Sequence, residues 1–230
     1  MSPLPAWASA PLFSVAATVI LYALSLRLQE RRAWLHPLFV TSGGLMALLL
    51  LFGIPYETYA EGGRLISFFL GPATVALAVP LYKRRNDIKR RLGQIVASVT
   101  VGSAVGIFAS WFAVTLFQGS RELAVAVLPK AASSAISIEL ARTLGGPQEL
   151  TGVLTVLTGL AGSMMGPTLL KLLRIDGDVP LGLSIGTAAH GIGTARLLRD
   201  SKEAGSYAGL AMGVAGIVVS VMMIPFLWLL

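Results

Sequence analysis

The sequence predicts an all-α polytopic integral membrane protein: about six transmembrane helices plus two re-entrant or broken helical elements. Three observations predict it. Charged residues make up 13% of the 230 positions and hydrophobic residues 55%, with a mean hydropathy of +0.76. A soluble chain carries about a quarter charged residues. The apolar residues gather in stretches of roughly 18–25, each long enough to cross a bilayer. The cations gather in short clusters beside those stretches. The 25 Gly and 12 Pro suit membrane helices, and the absence of Cys excludes disulfides, thiolate chemistry and Cys-bound metal.

The net charge of +7 and pI near 10.1 could suggest nucleic acid. The positions of the cations argue for the lipid bilayer instead, and no nucleic acid partner is expected. The densest run, Lys83-Arg84-Arg85-Asn86-Asp87-Ile88-Lys89-Arg90-Arg91, lies between two apolar segments, and Arg27, Arg31 and Arg32 follow another. Short basic loops of this kind keep their side of a membrane protein in the cytoplasm.

The first span is expected from about Pro11 to Leu26. No Lys or Arg precedes it, so neither a secretory signal nor a transit peptide is expected. A bacterial inner membrane and an outside N-terminus follow as expectations. The second span runs from about Pro37 to Phe52, with His36 at the interface, and returns outward to Pro55–Glu61, whose acids and Tyr suit the outer interface. Leu65 to Tyr82 returns inward, interrupted by Pro72 and Pro80, which makes Thr74 a candidate site-wall residue. Gln94 to Phe117, Thr151 to Leu170 and Gly205 to Leu230 complete the six. Gly205, Gly209 and Gly213 repeat every four residues and predict a close helix–helix face, within the subunit or in a homo-oligomer. The whole is read as one membrane domain, with three spans in 1–92 and a core in 93–230.

Two segments of that core, near 123–144 and 181–198, suit lipid poorly. Each places ionisable residues, hydroxyls and Pro or Gly inside an apolar stretch. Broken backbone at membrane depth survives only within protein or beside water. Dipping in and out on one side leaves Lys171, Arg174, Arg199 and Lys202 in the cytoplasm, which favours re-entry over two further crossings. A shift of about 56 residues sets Ala132–Ser137 against Ala188–Gly193, a weak internal repeat. Inverted repeats with broken helices mark secondary transporters.

Lys130 is the outstanding residue, because a Lys at the centre of a membrane hairpin costs on the order of 2.5–3.5 kcal/mol. It could anchor a carboxylate or relay charge, or pair structurally with Glu139. Ser133, Ser134 and Ser137 surround it at helix-face spacings and could bind carboxylate oxygens or only the backbone. In the second segment Thr187, His190, Gly191, Gly193 and Thr194 form the matching cluster. The ordinary pKa of His190 suits proton coupling, and the glycines allow backbone to approach a ligand. Arg196 could neutralise an anion or mark the cytoplasmic end. His190, Glu139 and Arg196 are the candidate charge or proton relay.

Enzyme chemistry is not expected. Gly182-Leu183-Ser184-Ile185-Gly186 fits a hydrolase pattern, but that motif needs a strand-to-helix elbow. Ser184 and His190 also lie about 240° apart on a regular helix. No cofactor or metal site is expected.

Leu128-Pro129-Lys130, Gly71-Pro72-Ala73-Thr74-Val75-Ala76-Leu77-Ala78-Val79-Pro80-Leu81-Tyr82-Lys83 and Gly186-Thr187-Ala188-Ala189-His190-Gly191-Ile192-Gly193-Thr194-Ala195-Arg196 resemble the LrgB/CidB family. The likeness extends to Gly166–Lys171 and Ala208–Gly213 and runs from about Leu35 to the last residue. That family often reads Thr-Thr-Pro-Ile after Pro-Lys; here Ser133, Ser134 and Ala135 precede Ile136, so one proline is missing. The resemblance implies two functions. One is antiholin-like control of murein hydrolase export and autolysis, with a small holin-like (LrgA/CidA-type) membrane partner. The other, through the related plastid glycolate/glycerate translocator, is transport of small 2-hydroxy or 2-keto monocarboxylates. The residue reading favours the transporter, proton-coupled, with a small carboxylate as substrate.

Overall fold

Proline and glycine punctuate the helices of this chain. In the computed structural model, residues 10–32, 36–69, 72, 75, 76, 78–83 and 85–229 are described; among them every regular element is helical. Contacts divide the chain into two compact units, Met1–Ala76 and Leu77–Leu230.

The first unit holds α1 (Pro11–Arg31), α2 (Pro37–Phe52) and α3 (Tyr56–Phe68). Pro11 and Pro37 each open a helix, where their missing N–H is not needed. His36 is the N-cap of α2, its Nδ1 accepting from the Leu38 N–H at 3.3 Å. Gly53, at φ +63°, ends that helix in the left-handed conformation that only glycine adopts without cost. Hydroxyls join the helices: Thr18 to Tyr59 at 2.8 Å and Ser25 to Thr41 at 3.0 Å.

The second unit runs α4 (Ala78–Lys83), α5 (Arg85–Leu116), α6 (Arg121–Val127), a 3-10 turn (Leu128–Ala131), α7 (Ser134–Thr143), α8 (Gln148–Leu172), α9 (Asp178–Asp200), α10 (Lys202–Met223) and α11 (Phe226–Leu229). Ser120 and Ser201 cap α6 and α10, each accepting at 3.2 Å from the N–H three residues on. Long helices alternate with broken ones: α5, the α6–α7 pair, α8, α9, α10. Ile95 and Val99 of α5 pack on Tyr207, Ala211 and Ala215 of α10. Leu128 and Ala132, at the first break, pack between Ile107 of α5 and Val219 and Met223 of α10.

Among the described residues, four helical stretches are long and apolar enough to cross a membrane: Pro11–Arg31, Ile88–Leu116, Gln148–Leu172 and Lys202–Trp228. The chain is an all-α polytopic membrane protein. One expectation about its elements needs correction. Residues 85–91 of the basic run are not a loop, because their Lys and Arg are good helix formers and extend α5 to 32 residues. Pro55 is the N-cap of α3, and that helix ends at Phe68. Of the expected Leu65–Tyr82 span, residues 65–69, 72, 75, 76 and 78–82 are described, and Thr74 lies outside the described residues.

Candidate functional site

The first break is set by Pro129. Helix α6 stops at Val127, the chain tightens into the 3-10 turn, and Ala132 is extended at φ −90°, ψ 174°. The buried Ser137 hydroxyl then reaches back, 2.7 Å from the Pro129 carbonyl and 3.1 Å from that of Ala132. It satisfies the Ala132 carbonyl, which the break leaves open, and adds a second donor to that of Pro129, which also accepts from the Ala132 N–H at 2.9 Å. Gly146, just past α7, lies against Val125 of α6, so this segment folds back on itself.

The second break is at His190, whose backbone sits at φ 45°, ψ −131° inside α9. That conformation is costly for any residue with a Cβ, by about 1–3 kcal/mol. It turns the helix back on itself. Gly193 lies against the side chain and carbonyl of Ile185, eight residues earlier, where a straight helix would put them about 12 Å apart. A methyl group on Gly193 would come within 2.5 Å of the Ile185 side chain and 2.7 Å of Ala189. Both arms then pack on α10: Gly186 meets Ala208, and Leu198 meets Gly205. Along α8, Gly159, Gly162 and Gly166 face His190, Ala189 and Ile185 in turn, so the first arm runs antiparallel to α8.

The two breaks meet. His190 is buried, and its Nε2 lies 2.9 Å from the carbonyl of Lys130. A carbonyl only accepts, so Nε2 carries the proton in this bond. The Thr194 hydroxyl donates to the His190 carbonyl at 2.6 Å and ties off the second arm.

Beside this junction is a cavity of about 370 Å³, within the 300–1,000 Å³ range of small-molecule sites. Lys130 and Ala131 line it from the turn, Ser98, Gly102 and Gly106 from α5, Thr158 from α8, and Ser184 and Thr187 from α9. Lys130 forms no ion pair among the described residues. Two residues beyond Ala131, the N-terminus of α7 has no side-chain cap on its amides, an arrangement that favours anions.

Of the residues singled out from the sequence, Lys130 and Thr187 line this cavity, and His190 holds the turn that carries Lys130. Gly191, Gly193 and Thr194 shape the second arm. Ser133 is the half-buried N-cap of α7, Ser134 is exposed, and Ser137 is spent on the backbone. Glu139 does not pair with Lys130: its carboxylate pairs with the guanidinium of Arg142 on an exposed face. Arg196 donates to the Ser163 carbonyl, with its Nε 4.0 Å from Asp200. The expected glycine face of α10 is tight only at Gly205, since nothing lies within 4 Å of a methyl group on Gly213.

Sequence reasoning overlooked Ser98, Gly102, Gly106 and Thr158 and weighed Ser184 only as a hydrolase motif. The spacing of four between Ser98, Gly102 and Gly106 was the available signal for a small-residue face. Among the described residues no group of three or more His, Asp or Glu could hold a metal ion.

The model of the LrgB-like family matches residues 18–230. The chain belongs to the LrgB-like family. Its similarity to two bacterial relatives spans nearly their full length. It is 35% identical to the holin-like protein CidB of Staphylococcus aureus over 221 residues, 95% of this chain and 96% of CidB. It is 33% identical to the uncharacterized protein YwbG of Bacillus subtilis over 207 residues, 89% of this chain and 92% of YwbG. No solved structure matches.

Proposed function

We propose that this protein is a holin-like component of the bacterial inner membrane that regulates murein hydrolase export and autolysis with a small holin-like partner. The similarity to CidB, over 95% of the chain, carries this reading. An autolysis assay tests it. In a host lacking its own proteins of this family, expressing the chain together with a holin-like partner should shift the rate of autolysis. Unchanged autolysis, with both proteins present in the membrane, refutes it.

The site supports a second reading, a carrier for small 2-hydroxy or 2-keto monocarboxylates coupled to protons. One observation favours it: a Lys that forms no ion pair among the described residues lines a cavity where two helix breaks meet. The bilayer penalises such a cation, which supports a functional role for it. Each arm of α9 is about 15–18 Å long, half of the ~30 Å hydrocarbon core. A re-entrant hairpin of that length brings its tip to the midplane, where carriers bind their substrates. Uptake of labelled glycolate or pyruvate into proteoliposomes of the purified protein separates the two readings. Lack of uptake at every pH gradient removes the carrier and leaves the regulator.

A further inference from the structure

Five polar side chains line the cavity, and they are not equivalent. The Ser98 hydroxyl donates to the Gln94 carbonyl at 2.7 Å, and the Thr187 hydroxyl to the Leu183 carbonyl at 2.7 Å. Both are engaged by their own helices, as hydroxyls in membrane helices commonly are. Thr158 and Ser184 make no such bond. Among the described residues neither hydroxyl has a partner, and neither is sealed from the cavity, since the buried unpaired hydroxyls are those of Ser14, Ser103 and Ser163. With Lys130 they make three uncommitted polar groups, contributed by the turn, α8 and α9.

Their chemistry is complementary. The Lys130 ammonium only donates, which suits a carboxylate, an acceptor. A hydroxyl both donates and accepts, so it can serve an alcohol oxygen or a ketone oxygen equally. We infer that Thr158 and Ser184 recognise the second oxygen of a 2-hydroxy or 2-keto acid whose carboxylate lies against Lys130. This assignment rests on the carrier reading and gives it a basis for selectivity. A plain acid such as acetate would leave both hydroxyls without a partner. Discrimination of this kind comes from unpaired polar groups in the site, not from extra apolar contact.

The test compares glycolate with acetate, and pyruvate with propionate, for uptake into proteoliposomes of wild type, Thr158→Val, Ser184→Ala and the double variant. Wild type should prefer the acid with the second oxygen in both pairs. Each single variant should lose roughly threefold to tenfold in uptake of glycolate and pyruvate, the value of one hydrogen bond. Acetate and propionate uptake should hold or rise, because each substitution removes a hydroxyl that those acids leave unpaired, and a single symmetric gel-filtration peak with wild-type melting shows that the variants are folded. An unchanged glycolate-to-acetate ratio in the double variant overturns the assignment while the carrier reading stands. If wild type takes up none of the four acids, the assignment falls with the reading beneath it.

Discussion

His190 Nε2 lies 2.9 Å from the carbonyl oxygen of Lys130, sixty residues away in the chain. This bond joins the tip of one broken helix to the turn of another, and the backbone of His190 is strained to make it. Strain of this kind persists only where the surroundings over-determine it.

Replacing His190 separates the strain from the bond. His190→Ala loses the bond and keeps the cost of φ 45°, whereas His190→Gly loses the bond and relieves the cost. Thermal unfolding in detergent should therefore rank wild type first, His190→Gly next and His190→Ala last. The two variants should differ by about 1–2 kcal/mol. An alanine variant as stable as the glycine one contradicts the backbone assigned to the tip.

Packing between α9 and α10 depends on absent methyl groups. In Gly186→Ala the new Cβ meets the Ala208 backbone, which cannot move aside cheaply. Gly213→Ala meets nothing within 4 Å and gains up to about 1 kcal/mol of helix propensity. The first variant should fall sharply in detergent melting temperature or fail to accumulate, and the second should match or exceed wild type.

Three residues near Lys130 should prove unequal. Ser137→Ala leaves the buried Ala132 carbonyl without a donor, while that of Pro129 keeps the Ala132 N–H, a loss of about 1–3 kcal/mol. Ser134→Ala changes an exposed position and should leave thermal stability as it is. Glu139→Gln removes half of an exposed ion pair with Arg142. It should leave both stability and uptake at the wild-type level, an outcome incompatible with a relay through Glu139.

If α9 enters and leaves on one side of the membrane, the residues flanking it share that side. The chain has no Cys, so single cysteines at the exposed positions Lys171 and Lys202 can be labelled without background. An impermeant reagent should reach both from the cytoplasmic face only. Labelling of the two from opposite faces would rule out re-entry.

Gly106 lines the cavity and has open space beside it. Gly106→Val should fold normally and project its methyl groups into the cavity. Under the carrier reading its uptake should drop at least tenfold with little change in melting temperature.

Both breaks were legible in the sequence, because Pro129, His190 and their flanking glycines and hydroxyls conflict with regular helix in lipid. Lys130 stood out for the same reason, as a charge the bilayer penalises. The start of α5 was not legible. Positive-inside reasoning treats Lys and Arg as loop markers, while their helix propensity lets them continue the helix. Thr158 and Ser184 were hidden more deeply. Whether a membrane hydroxyl bonds its own helix or faces a cavity depends on neighbours far along the chain. Glu139 looked like a partner for Lys130 by separation alone, but Arg142 is on its own helix one turn on and takes it first.

The junction of the breaks also has a place in time. Lys130 is synthesised sixty residues before His190, but the turn that presents its carbonyl packs on Val219 and Met223, which are made later still. The two breaks are therefore fixed together only once α10 has followed them.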